Sequence, residues 1–206
     1  MCGRFALSAP AAKLIEFFEL DECADFLPSL NIAPGTNIPV IRQSPEGKRV
    51  LHLLHWGFLP HWVKDPKYAS RPINARVETL SEKPYFRDAY KRRRCLIPAD
   101  GFYEWKREEK RKMPFYFSLD SDEPMAMAGL WESWKAPDCT ILRTVCIITT
   151  EANAIMQPIH DRMPVLIAKQ DWRDWLACEK SLVAESENAP TKTVSLQRIP
   201  ADKMLL

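Results

Sequence analysis

The chain has 206 residues, 46% hydrophobic and 27% charged, which suffices for a folded core. Its 29 basic and 27 acidic side chains leave a formal net charge of +2, so no global field draws it to nucleic acid or membrane, and any basic surface is local, with KRRR at 91–94 the obvious source. No run approaches the roughly 20 apolar residues of a membrane span, Lys13 and Glu16 interrupt the first apolar stretch where a secretory leader would need continuity, and six cysteines without a CxxC pair suit reduced intracellular thiols rather than a disulfide framework.

In chain order, the opening MCGRF is followed by APAAKLIEFFEL at 9–20, which predicts a helix. Ser8 is placed to cap it, Pro10 suits its first turn, and Leu14, Phe17 and Phe18 share a face. LNIAPGT at 30–36 reads as a turn with Pro34 and Gly35 at its tip. IPVIR at 38–42 and RVLHLLHW at 49–56 read as a hairpin around SPEGK. HWVKDPKYASRP is a proline-punctuated loop, and INARVETL at 73–80 is ambiguous between strand and helix. SEKPYFRDAYKRRR predicts a short helix capped by Ser81. CLIPADGFYEWK and PFYFSL flank the charged turn REEKRKM as a second hairpin, and MAMAGLWESW and LRTVCIITT are strand-like. NAIMQPIHDRMP is a short helix or loop, PVLIA a strand, KQDWRDWLA a helix and TVSLQRIP a last strand. Seventeen prolines against six glycines fit short elements and stiff loops. The hairpins argue for antiparallel sheet and make the expected class α+β, one domain over 1–206.

Four places carry chemistry. Removal of Met1 would expose Cys2 as a 1,2-aminothiol, whose α-amine (pKa about 7.7–8.0) condenses with an aldehyde and whose thiol (pKa about 8.5) then closes a thiazolidine. By itself Cys2 is equally a residue of a frayed terminus. Glu104, flanked by aromatics in DGFYEWK, is a candidate proton-transfer group or one half of a cross-strand ion pair. His160, in the stiff loop PIHDRMP, is a second proton carrier or a histidine bonded within its own loop. Asn74 and Arg76 alternate in INARVET and would face one cleft if the segment is a strand. Tryptophans interleave with arginines along the chain, a mixture that holds single-stranded nucleic acid, although most such tryptophans belong to cores. His52 and His55 point to opposite faces of a strand and the cysteines lack zinc-ligand spacing, so no metal is expected. There is no Walker loop, dinucleotide fingerprint or GxSxG, so no cofactor is expected either.

Taken together, MCGRF, NIAPGT, WGFLPHW, INARVET, CLIPADGFYEWK and IHDRMP resemble, in order and spacing, the SOS-response-associated peptidase (SRAP) family over essentially the whole chain. That resemblance implies a compact, mostly antiparallel β-sheet or barrel-like core with flanking helices, and a covalent shield of abasic sites in single-stranded DNA, with Cys2, Asn74, Glu104 and His160 as catalytic residues. It implies DNA contacts from Arg4, Pro34, Trp62, Arg76, Trp105, Thr149 and Arg162. The implied product is a thiazolidine, with a secondary lyase activity through the Schiff base. The implied partner is single-stranded DNA with an abasic site, met by a monomer in the cytoplasm of a bacterium or the nucleus of a eukaryote. One departure is that Val63, rather than a second aromatic, follows Trp62. The rival readings are a thiol peptidase with Cys2 as N-terminal nucleophile and a non-covalent single-strand binding module.

Overall fold

The alternation of apolar and polar residues over 37–56 folds into the hairpin it predicts. Strand β4 (Asn37–Gln43) pairs antiparallel with β5 (Arg49–Trp56) from Asn37 opposite His55 to Gln43 opposite Arg49. The computed structural model describes residues 2–108, 111–121, 123–179 and 196–200. Before this hairpin come β1 (Phe5–Leu7), α1 (Ala11–Phe18), β2 (Glu22–Cys23) and β3 (Ser29–Ile32). After it come β6 (Asn74–Arg76), α2 (Arg87–Arg92), β7 (Arg94–Ala99), β8 (Gly101–Glu108), β9 (Arg111–Leu119), β10 (Met125–Lys135), β11 (Ile141–Glu151), β12 (Arg162–Pro164), α3 (Trp172–Leu176) and β13 (Leu196–Pro200).

Five strands close a barrel. The order β11-β10-β7-β4-β5 is antiparallel throughout, and a short parallel contact of β5 with β11, His55 opposite Thr144 and Trp56 opposite Val145, completes the ring. Closure removes the edges that a flat sheet would expose. The interior is packed with Ile38, Val40, Leu54, Trp56, Cys95, Ile97, Val145 and Ile147, all essentially inaccessible. A second sheet, β13-β9-β8-β1-β3, lies against one end of the barrel, where Phe5 of β1 meets Trp56 edge-on with ring centroids 5.4 Å apart. Two glycines are fixed by close approach. A Cβ on Gly101 would lie 2.4 Å from the Tyr116 ring, and one on Gly129 would lie 2.8 Å from the Cys95 sulfur.

The chain leaves the barrel after Trp56, runs through 57–73, and returns as β6 on the same edge of β11, with Asn74 opposite Ile147 and Arg76 opposite Thr149. So INARVET is a three-residue strand followed by a 3₁₀ turn at Val77–Thr79. On the other edge β10 departs and β12 takes its place, with Glu151 opposite Arg162.

Several expected details differ. Ser8 does not cap α1; its backbone N–H and hydroxyl both donate to Asp100, the hydroxyl at 2.6 Å, which ties the start of α1 to the β7–β8 corner. Ser81 caps nothing, because α2 starts at Arg87 after the turn around Pro84. The strand expected at PVLIA lies earlier, with β12 ending at Pro164; beyond it Val165–Ile167 run between β11 and β10, the Val165 N–H donating to the Ile148 carbonyl at 2.9 Å, the Ala128 N–H to the Val165 carbonyl at 2.8 Å and the Ile167 N–H to the Ala126 carbonyl at 2.9 Å, with Leu166 bridged to Met127. KRRR is not one solvated face. Lys91 and Arg92 are exposed, Arg93 Nη2 donates to Glu132 at 2.7 Å, and Arg94 is buried with its guanidinium 4.5 and 4.7 Å from the Tyr90 and Trp175 rings. Of TVSLQRIP, residues 193–195 lie outside the described residues, and Leu196–Pro200 pair with β9. Among the described residues no helix is long and apolar enough to cross a membrane.

Candidate active site

Cys2 is delivered by the extension of β1. Phe5 lies opposite Phe102, and the Tyr103 N–H donates to the Arg4 carbonyl at 2.8 Å. Continued toward the N-terminus, this antiparallel register sets Gly3 and Cys2 alongside Glu104 and Trp105. The side chain of Cys2 is wholly buried, at 0% exposure, and Glu104 is nearly so at 3%. Burial pushes the Cys2 thiol well above its ordinary range, and the Glu104 carboxylate pushes it further. The thiol is therefore protonated at neutral pH, with a carboxylate close enough to feel its charge.

Asn74 joins the pair from the barrel side. Its Nδ2 donates to the Cys2 carbonyl at 3.0 Å, and its Oδ1 is buried with no hydrogen-bond partner among the described residues. An orphan acceptor beside the first residues of the chain is a place for an N–H or hydroxyl donor. The position follows from β6: pairing with β11 fixes the backbone, and the alternation of the strand separates Asn74 from the buried Ala75.

His160 stands on the turn that leads into β12. Its Nδ1 accepts the Arg162 N–H at 2.9 Å and lies 2.9 Å from Asp161 Oδ1. The turn is clamped to the segment after β6 by Arg162, whose two terminal nitrogens donate to the Glu78 carboxylate at 2.7 and 3.0 Å and, at 2.7 Å, to the Thr149 carbonyl. This bidentate pair holds the Glu78 carboxyl below its usual range, its hydrogen bonds and charge outweighing burial.

The remaining predicted contacts divide by exposure. Arg4 is half-buried with Nη1 on Asn31 Oδ1 at 2.6 Å, close to the turn that carries Pro34. Arg76 is exposed, and Trp62 is 50% exposed with its ring edge-on to Tyr85 at 5.8 Å. Trp105 is half-buried against Tyr103 and Tyr116. Thr149 and Arg162 are buried at 0% and 8% rather than on the surface, Thr149 lying beside β6 opposite Arg76. Cys2 thus interacts with both Asn74 and Glu104, while Arg162 and Thr149 tie β12 and β11 to β6 and the segment that follows it.

Two groups were not legible as part of this arrangement. Glu78 lies inside INARVET, but its partner is 84 residues away. Glu132 is buried at 3% and binds both His61 Nδ1 at 3.0 Å and Arg93 Nη2 at 2.7 Å, fastening the Trp62 loop to β10. Nothing in the local sequence marks either pairing.

Comparison with known proteins fits this geometry. The family model described as SOS response associated peptidase (SRAP) matches residues 1–204. The abasic site processing protein YoqW of Bacillus subtilis (strain 168) is 46% identical over 180 residues, covering 85% of this chain and 80% of that protein. The abasic site processing protein YedK of Escherichia coli (strain K12) is 33% identical over 203 residues, covering 94% and 87%. The abasic site processing protein HMCES of Xenopus tropicalis is 30% identical over 181 residues, covering 73% of this chain and 54% of that one. Among solved structures, a protein from Bacteroides thetaiotaomicron superposes with a TM-score of 0.82 at 24% identity over 98% of this chain and 93% of that one, a likeness of fold.

Proposed function

Because the chain belongs to the SOS response associated peptidase (SRAP) family, we propose that it recognises abasic sites in single-stranded DNA and caps them covalently through Cys2. The observation that carries the reading is the meeting of Cys2, Asn74 and Glu104 at the start of the chain. Once Met1 is gone, the Cys2 α-amine attacks the aldehyde of the ring-opened deoxyribose. Glu104 takes a proton from the Cys2 ammonium as it becomes the attacking amine and gives that proton to the departing hydroxyl, so that water leaves as the iminium forms. The thiol then adds to the iminium carbon and returns a proton to Glu104, closing the thiazolidine with one water lost overall. The raised thiol pKa favours this order, because the amine is the nucleophile available at neutral pH. Asn74 holds the Cys2 backbone by its donor and offers Oδ1 to the α-amine or a sugar hydroxyl. His160 assists ring opening.

Arg4 and Arg76 grip flanking phosphates, Trp62 and Pro34 pack against neighbouring bases, and Trp105 lines the approach. Arg162 and Thr149 act through position, because the Arg162 fork is committed to Glu78. A secondary lyase activity follows from the Schiff base when the thiol fails to close the ring. The protein works as a monomer where DNA lies, in the bacterial cytoplasm or the eukaryotic nucleus.

The test mixes purified protein with an oligonucleotide carrying one abasic site and follows denaturing electrophoresis and intact mass. An adduct of des-Met protein plus DNA minus one water, absent with Cys2→Ala, is expected. No adduct from protein with a free N-terminal cysteine would overturn the reading.

A further inference from the structure

The end of the barrel away from Cys2 is lined by side chains that the proposed reaction does not use. Inward positions alternate along each barrel strand. Val40 pairs with His52, and Arg42 follows two residues along β4. Trp131 pairs with Val145, and Arg143 lies two residues before it on β11. The register therefore gathers Arg42, His52, Trp131 and Arg143 around one mouth. Arg143 precedes Ile147, the partner of Asn74, by about 13 Å of strand.

Charge at this mouth is one-sided. The Arg42 guanidinium lies 4.9 Å from the centre of the Trp131 ring. Burial and then Arg143 push Arg42 below its ordinary range, and burial, Arg42 and Arg143 in turn do the same to His52. Glu22 opposes the effect on His52 and is itself paired with Lys48 at 3.4 Å. Among the described residues, Arg42 Nε and His52 Nδ1 are buried without a hydrogen-bond partner. Crowded like charges and orphan nitrogens are each unfavourable alone, and one oxyanion relieves both.

We propose that this barrel mouth is a binding site for a phosphate-type oxyanion, gripped by Arg42 and Arg143, completed by His52 and floored by the Trp131 indole. The group is a free phosphate or the phosphodiester of a nucleic-acid strand, which share the chemistry. The proposal is independent of the reaction at Cys2.

Inorganic phosphate is titrated into the full chain at constant ionic strength, with chloride as the balancing anion, while the arginine Nε–H resonances are followed by NMR. The Arg42 resonance is expected to move saturably with phosphate, and Arg143→Gln to weaken binding about tenfold, as loss of a charge-assisted contact does. Arg143 is exposed, so this variant keeps the fold. An equal response to chloride, or unchanged affinity in Arg143→Gln, would overturn the site. Displacement of phosphate by an undamaged single-stranded oligonucleotide assigns the mouth to a strand's backbone; retention assigns it to the free anion.

Discussion

At the scale of single residues, the site depends on what surrounds one thiol. Burial is the larger cause of the raised Cys2 pKa and Glu104 the second, so Glu104→Gln should lower that pKa while leaving it above an ordinary thiol's. The rate of alkylation of Cys2 between pH 7 and 8.5, where the fold is intact, follows the thiolate fraction, and a rate unchanged in Glu104→Gln would break the coupling between the two residues. The same variant should slow adduct formation about 10²-fold or more, the usual contribution of a general acid–base group. Asn74→Ala should behave differently. It removes one hydrogen bond to the Cys2 carbonyl, worth about 1 kcal/mol of stability, yet it frees the terminus that must meet the sugar. A loss of about 10²-fold in single-turnover crosslinking with little change in Tm is expected. Equal rates would remove Asn74 from the positioning role. The residue types were readable because short motifs carried them; the orphan Oδ1 was not, since it is defined by the absence of a partner among the described residues of distant elements.

Elements show where sequence reading succeeds and where it stops. Hairpins β4–β5 and β8–β9 were legible because each is bounded by its own turn and carries period-two alternation. Barrel closure was not, because β5 meets β11 across 89 residues, from His55 to Thr144, with no local signal. The loop at 57–73 is the functional counterpart. It read as proline-stiffened, yet its anchors are distant: the Leu59 N–H donates to Thr144 Oγ1 at 2.9 Å, Trp134 Nε1 donates to the Val63 carbonyl at 2.7 Å, and His61 lies on Glu132 at 3.0 Å. Glu132→Ala leaves Arg93 without its carboxylate and should cost about 3 kcal/mol, as loss of one partner of a buried pair does. It should also weaken binding of single-stranded DNA by loosening the loop that presents Trp62. His61→Ala, at a side chain 46% exposed, should cost much less stability. Equal losses from the two variants would mean that the carboxylate is not the shared anchor.

On the scale of the whole molecule, the buried cysteines set how the fold responds to alkali. Cys2, Cys95 and Cys146 are each at 0% exposure, none is in a disulfide, and burial pushes each thiol well above its ordinary range. The barrel explains two of them: Cys95 on β7 and Cys146 on β11 flank Gly129 and Leu130 of β10, where no water reaches the sulfur. Removal of Met1 changes the charge beside Cys2 but does not touch that pair. A group whose folded pKa exceeds its unfolded value stabilises the fold fully below the unfolded pKa and loses that contribution as pH climbs toward the folded one. Stability should therefore be flat through neutrality and fall above about pH 8.5, where unfolded thiols begin to ionise. With three such thiols the limiting slope is about 4 kcal/mol per pH unit, steep against a typical stability of 5–15 kcal/mol. Denaturant unfolding between pH 7 and 10.5 would measure it. Cys146→Ala should reduce the slope by about a third while preserving adduct formation at Cys2, because the linkage counts thiols and the chemistry uses only one. A slope that ignores this substitution would show that alkaline unfolding starts elsewhere, with Tyr103 and Tyr116, both raised by burial, as the next groups to replace.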